Sequence, residues 1–128
     1  MHCKASLREV SQLIAHFSLK ERYAQITLAQ LNLRYREEQE NHRSLLQLIS
    51  ALEQQILSFD VTGIHTYLAL NERRRKQSIY RRQILDIRVK AEESALVQVQ
   101  IIEDINKTNC LITGLKKKII KIEHYKPE

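Results

Sequence analysis

The fold depends on one short break in the sequence, Ser58-Phe59-Asp60-Val61-Thr62-Gly63. Asp60 and Thr62 can each cap a helix, and Gly63 tolerates the backbone angles of a turn. The whole chain has 128 residues with two glycines, one proline and no tryptophan. Sandwiches, barrels and doubly wound sheets need many turns, which usually draw on glycine and proline. We therefore expect an all-α protein in which two long helices are joined at this break.

An apolar residue recurs every three or four positions on both sides of the break, which is typical of a coiled-coil seam. The predicted seam positions of the first segment, thirteen of them apolar, are Leu7, Val10, Ile14, Phe17, Glu21, Ala24, Leu28, Leu31, Tyr35, Glu38, His42, Leu45, Ile49, Leu52, Ile56 and Phe59. Those of the second, eleven of them apolar, are Leu70, Arg73, Gln77, Tyr80, Ile84, Ile87, Ala91, Ser94, Gln98, Ile101, Ile105, Thr108, Ile112, Leu115, Ile119 and Ile122. The two seams predict an antiparallel coiled-coil hairpin that forms a single domain over 1–128. Its helices are expected at about 5–59 and 66–123, with the turn at about 60–65.

The two predicted seams have equal length, so folding the chain at the break pairs them end to end. The expected pairs include Leu7 with Ile122, Glu21 with Thr108, Ala24 with Ile105, Tyr35 with Ser94 and Phe59 with Leu70. A slip of one heptad, which sets Glu21 against Ile101, is the alternative. A seam of this length would span ~80 Å at the rise of an α-helix. Such a narrow structure would enclose no small substrate, which argues against an enzyme and against a bound cofactor.

The cysteines and histidines form no recognisable chemical site. Cys3 and Cys110 have neither metal-binding nor redox spacing, and no two histidines lie at i and i+4. His42 occupies a seam position one turn after Glu38. We interpret it as a polar layer that sets the register. The alternative is a weak point at which the hairpin can bend. No segment approaches the ~20 apolar residues of a membrane span, and no secretion signal opens the sequence. We expect a cytoplasmic protein with no metal site and no direct membrane insertion.

All of the net charge of +6 lies in the second half of the chain. Residues 1–60 hold seven basic and seven acidic side chains, and residues 61–128 hold fourteen and eight. The basic residues cluster at 73–76, at 81–82 and at 116–121. This pattern indicates an acidic partner, although a solvated face explains it equally well. A basic-zipper DNA reader would need small residues three and four positions after Asn71, where Arg74 and Arg75 stand, so nucleic-acid binding is a weaker alternative.

The stretch from Arg75 to Ile87, RKQSIYRRQILDI, resembles the middle of the export-stalk proteins of the invasion-type bacterial type III secretion system. That family is the injectisome relative of the flagellar export protein FliJ, and it is also related to YscO. The resemblance also covers the general plan of the whole chain, a basic antiparallel hairpin of about this length.

This resemblance implies a non-enzymatic, monomeric stalk at the cytoplasmic face of the inner membrane. Its open end would enter the central hole of the hexameric export ATPase, and its hairpin end would reach the cytoplasmic ring of the export gate. Export chaperones are further partners in the family. The gate-facing residues would be Tyr67, Leu68, Arg74, Arg75, Tyr80 and Arg81. The ATPase-facing residues would lie near 7–17 and 112–122 and include Lys116, Lys117, Lys118 and Lys121. A secretion chaperone or a general coiled-coil adaptor is the remaining alternative.

Overall fold

The computed structural model describes residues 6–59 and 66–125. These residues form two helices, α1 (Leu7–Ser58) and α2 (Tyr67–His124). The helices pack against each other as a hairpin, which confirms the predicted all-α fold class. Each helix begins and ends within two residues of the bounds expected from the sequence. The expected turn at 60–65 lies outside the described residues.

Side-chain caps define where both helices begin. Before α1, the Glu9 amide donates to the Ser6 hydroxyl at 3.2 Å, and the Ser6 amide donates to the Glu9 carboxylate at 3.3 Å. This reciprocal pair is a capping box, which satisfies two amides that would otherwise lack partners. At α2 the Ala69 amide donates to the Thr66 hydroxyl at 3.2 Å. Thr66 is therefore a cap that the sequence reading missed, and the predicted caps Asp60 and Thr62 lie outside the described residues.

The burial pattern confirms the predicted seams. Among the described residues of α1 and its flanks, every buried or half-buried side chain occupies a predicted seam position. In α2 the same holds except for Asp104 and Gly114, which are half-buried beside the seam. The least exposed side chain is that of Ile101, at 2%. The apolar heptad spacing thus selects which face of each helix is removed from water.

Contacts divide the chain into two compact units. Unit 1 comprises residues 1–35 and 100–128, and unit 2 comprises residues 36–99. Both α1 and α2 contribute to each unit.

In unit 1 the two helices run antiparallel around a small apolar cluster. Ala24, Ile112 and Leu115 form its buried centre, and Phe17 and Leu28 pack against it. The small side chain of Ala24 leaves room for the two larger residues of α2 at this level.

In unit 2 the antiparallel helices are joined by aromatic packing and by polar contacts across the seam. Phe59 and Tyr80 stack with ring centroids 5.7 Å apart and planes inclined by 19°. The carbonyl of Ala91 lies 3.1 Å from Nδ1 of His42, which donates to it when that nitrogen carries the proton. The buried Ser94 hydroxyl donates to the Glu38 carbonyl at 3.5 Å. His42 therefore forms part of a polar layer in the seam, as expected.

The expected register was wrong in both units. In unit 1 Ala24 packs with Ile112, one heptad beyond the expected Ile105. In unit 2 Tyr80 stacks on Phe59, for which the expected partner was Leu70. The shift is in the opposite direction to the alternative slip, which would set Glu21 against Ile101.

The physical reason for this register lies in the polar seam positions. A shift of one heptad leaves the apolar pattern unchanged, because the pattern itself repeats every seven residues. In the observed register Lys116 lies 3.7 Å from the Glu21 carboxylate, and His42 and Ser94 reach carbonyls of the opposite helix. This register leaves the two outermost seam positions less covered than the rest. Leu7 and Leu70 are 54% and 37% exposed.

Candidate partner-binding surfaces

The gate-facing residues expected from the sequence lie near the start of α2, in unit 2, and form what we call the arginine surface: Tyr67, Leu68, Arg74, Arg75, Tyr80 and Arg81. Residues seven apart on a helix share a face, so Tyr67, Arg74 and Arg81 are aligned, with Leu68 and Arg75 on the adjacent face. Tyr67 and Leu68 are 76% and 78% exposed. The three arginines are exposed as well. This surface therefore combines apolar and cationic groups on one side of the helix.

Tyr80 differs from the other members of the arginine surface. Its ring is half-buried and stacked on Phe59, so much of it is engaged in the seam. Stacked aromatic rings add to stability beyond the area that they bury. A Tyr80 variant would therefore perturb the hairpin itself, whereas variants of the exposed arginines would not.

A shallow open cleft of about 370 Å³ adjoins Arg81. The sequence did not predict it. Ile56, Ile84 and Leu85 form its apolar part. Its rim includes Arg88, whose guanidinium donates to the Glu53 carboxylate at 3.0 Å. The cleft depends on side chains from both helices, so its members can be identified only once the register is known. It offers an aliphatic side chain of a partner a place beside the arginines.

The four predicted ATPase-facing lysines lie on α2 in unit 1, and the structure divides them into two pairs. Lys116 forms an ion pair with Glu21, and the Lys118 ammonium lies 5.4 Å from the centroid of the Phe17 ring. Both contacts stabilise packing within unit 1. All four lysines are exposed, but Lys117 and Lys121 make no such contact with the described residues. These two, which we call the outer lysines, are therefore better placed to meet a partner than the other pair.

The remaining reactive side chains form no site in the described part of the chain. Cys110 is exposed and has a free thiol. The other cysteine, Cys3, lies outside the described residues, as does His2. Searching the described side chains finds no group of three or more His, Cys, Asp or Glu placed to hold a metal ion. Neither α1 nor α2, as described, has a stretch apolar enough and long enough to cross a bilayer.

The stretch 75–83, near the start of α2, is mostly outward-facing. Within 75–83 only Gln77 and Tyr80 lie in the seam, and the other seven residues are exposed. Coiled-coil sequences resemble one another mainly through their apolar seam positions. The residue types of this exposed stretch are therefore not dictated by packing in the seam. Comparison with models of protein families, with curated proteins and with solved structures gives no match to this chain.

Proposed function

We propose that this chain is the central stalk of a bacterial type III secretion export apparatus, linking the hexameric export ATPase to the export gate. The observation that carries the proposal is that the stretch 75–83, part of the segment whose sequence resembles the stalk family, exposes seven of its nine residues. The antiparallel hairpin supports it, because a two-stranded coil is the architecture that the resemblance implies. In this role the protein acts without catalysis, at the cytoplasmic face of the inner membrane.

The arginine surface is the part that we assign to the gate. Arg74, Arg75 and Arg81 are exposed beside the apolar side chains of Tyr67 and Leu68. Cationic groups would speed capture by an acidic ring, since opposite charges steer association. The adjoining apolar groups would then supply contacts that are not weakened by salt.

Unit 1, through the outer lysines Lys117 and Lys121, is the part that we assign to the ATPase. A stalk inside a symmetric ring must not bind one subunit too tightly. Long, exposed lysine side chains suit this requirement, because their ion pairs are weak and screened. Contacts of this kind can be exchanged from one subunit to the next. Export chaperones are a further class of partner under the same proposal.

Co-purification with the ATPase and the gate ring of the same secretion system tests the proposal. The triple variant Arg74→Glu, Arg75→Glu, Arg81→Glu should weaken gate binding by about tenfold or more and leave ATPase binding unchanged. The matched double variant Lys117→Glu, Lys121→Glu should show the opposite pattern. All of these positions are exposed, so circular dichroism should report an unchanged helical content for both variants.

Two outcomes would contradict the proposal. If the wild-type chain binds neither the ATPase nor the gate ring, the stalk function is wrong. If it binds nucleic acid with an affinity that falls steeply with salt, the basic residues serve that alternative function.

A further inference from the structure

Each helix exposes a stripe of large apolar side chains on the face opposite the seam. In α1 the stripe lies within unit 1 and consists of Leu19, Tyr23, Ile26 and Leu33, which we call the α1 stripe. Their exposures are 48%, 61%, 49% and 53%. At 100° per residue the four side chains fall within an arc of roughly 80°, so they form a line about 21 Å long, which Gln30 interrupts between Ile26 and Leu33. Burial in the hairpin does not explain these residues, because they point away from the seam.

The charges that flank the α1 stripe are cationic, and the first acidic side chain on its line is Glu37, one turn beyond Leu33. Arg22 flanks it on one side and Arg34 on the other, and Lys20 lies farther round toward the seam, with its ammonium 6.0 Å from the centroid of the Phe17 ring. No acidic residue occurs between Glu21 and Glu37, and Glu21 lies in the seam beside Lys116. The stripe is thus an apolar line between two cationic borders.

A second stripe on α2, within unit 2, offers an internal comparison. It consists of Leu85, Val89, Leu96 and Val99, with exposures of 61%, 54%, 70% and 54%. The spacing of the four residues resembles that of the α1 stripe. However, Glu92 falls on the line itself, and Asp86 and Glu93 lie along one side of it. Apolar exposure is therefore common to both stripes, whereas the cationic borders belong to α1 alone.

We propose that the α1 stripe binds the surface of an anionic lipid bilayer. An apolar line bordered by lysine and arginine is the chemistry by which amphipathic helices lie in the membrane interface. Tyr23 supplies a ring with a polar tip, which favours the headgroup level. The basic side chains can extend their apolar stems along the lipid while their charges meet the headgroups.

Two other occupants fit the stripe less well. A second copy of the chain would bring one set of cationic borders against another, which disfavours association. An acidic helix of a partner protein would suit the charge. However, the stripe is convex and offers no groove, whereas a bilayer needs no complementary shape. The inference does not depend on the proposed stalk function, and it concerns binding at the surface rather than insertion across the membrane.

Flotation of the full chain with lipid vesicles tests the proposal. The chain should bind vesicles that contain phosphatidylglycerol, should bind pure phosphatidylcholine vesicles far less, and should be released by salt. The variant Leu19→Ser, Ile26→Ser should lower binding about tenfold or more, because it removes half of the apolar line. The variant Lys20→Glu, Arg22→Glu, Arg34→Glu should lower it about a hundredfold or more. The matched control Val89→Ser, Leu96→Ser, with the same spacing in the α2 stripe, should bind like the wild type.

A fluorescence measurement locates the contact directly. The chain contains no tryptophan, so Tyr23→Trp introduces a single reporter in the α1 stripe. Its emission should shift to shorter wavelength with phosphatidylglycerol vesicles, and an aqueous quencher should lose access to it. Leu96→Trp, in the α2 stripe, should show neither change.

Several results would overturn the proposal. The proposal is wrong if the chain does not bind anionic vesicles at low salt, or if it binds neutral vesicles equally well. If the α2 control loses as much binding as the α1 variant, the binding belongs to another surface. A concentration-dependent dimer that Leu19→Ser, Ile26→Ser abolishes would assign the stripe to a second copy instead. Binding of an acidic amphipathic peptide without any binding of vesicles would assign it to a protein partner. Because the altered side chains are exposed, unchanged circular dichroism of each variant shows that the fold is retained.

Discussion

Replacing Ile101 by alanine measures how much the seam contributes to stability. Ile101 is 2% exposed and lies in the α2 seam of unit 1. The substitution removes three carbon atoms, which at ~0.8 kcal/mol each amounts to about 2.4 kcal/mol of lost burial. A residual cavity would add to this cost. The seam between two helices is open along its sides, however, so neighbouring side chains can partly fill the space. We therefore expect a loss of about 2–3 kcal/mol in the free energy of unfolding, toward the low end for such substitutions.

The adjacent residue supplies the matched control. Ile102 has the same side chain but is 40% exposed and lies outside the predicted seam. Ile102→Ala should cost roughly 1 kcal/mol, because at 40% exposure it loses only part of the ~2.4 kcal/mol burial term and alanine is the better helix former. Urea unfolding followed by circular dichroism measures both variants, and equal m-values would show that the same surface is exposed on unfolding. Equal losses for the two variants would refute the conclusion that the seam, rather than apolar content in general, stabilises the hairpin.

Two further predictions concern helix propensity and register. Gly114→Ala should raise the free energy of unfolding by about 0.5–1 kcal/mol, because an added Cβ would meet no heavy atom within 4 Å and alanine favours a helix; a lower urea midpoint would contradict this. In a chain whose native cysteines are both replaced by serine, Ala24→Cys with Ile112→Cys should form a disulfide within one molecule on mild oxidation, whereas Ala24→Cys with Ile105→Cys should not. The reverse result, read on a non-reducing gel, would restore the register expected from the sequence.

The candidate surfaces were predictable from the sequence only where they depend on helix periodicity. Exposure of Arg74, Arg75 and Arg81 follows from their positions outside the seam. The stacking of Tyr80 on Phe59 does not, because it depends on which turns of the two helices meet. Which of the four lysines contact α1 also depends on which turns of the two helices meet. Lys116 and Lys118 do so, and among the described residues the outer lysines do not.

The sequence by itself determined the two helices, their approximate bounds and the residues that each turns toward the other. These properties depend on neighbours within a few turns of one helix, so local periodicity is sufficient to specify them. Only the tertiary structure decided the register. Heptad slips bury nearly the same apolar side chains, so the choice depends on a few polar groups whose partners lie on the other helix. Glu21 beside Lys116, and His42 beside the Ala91 carbonyl, are contacts of that kind.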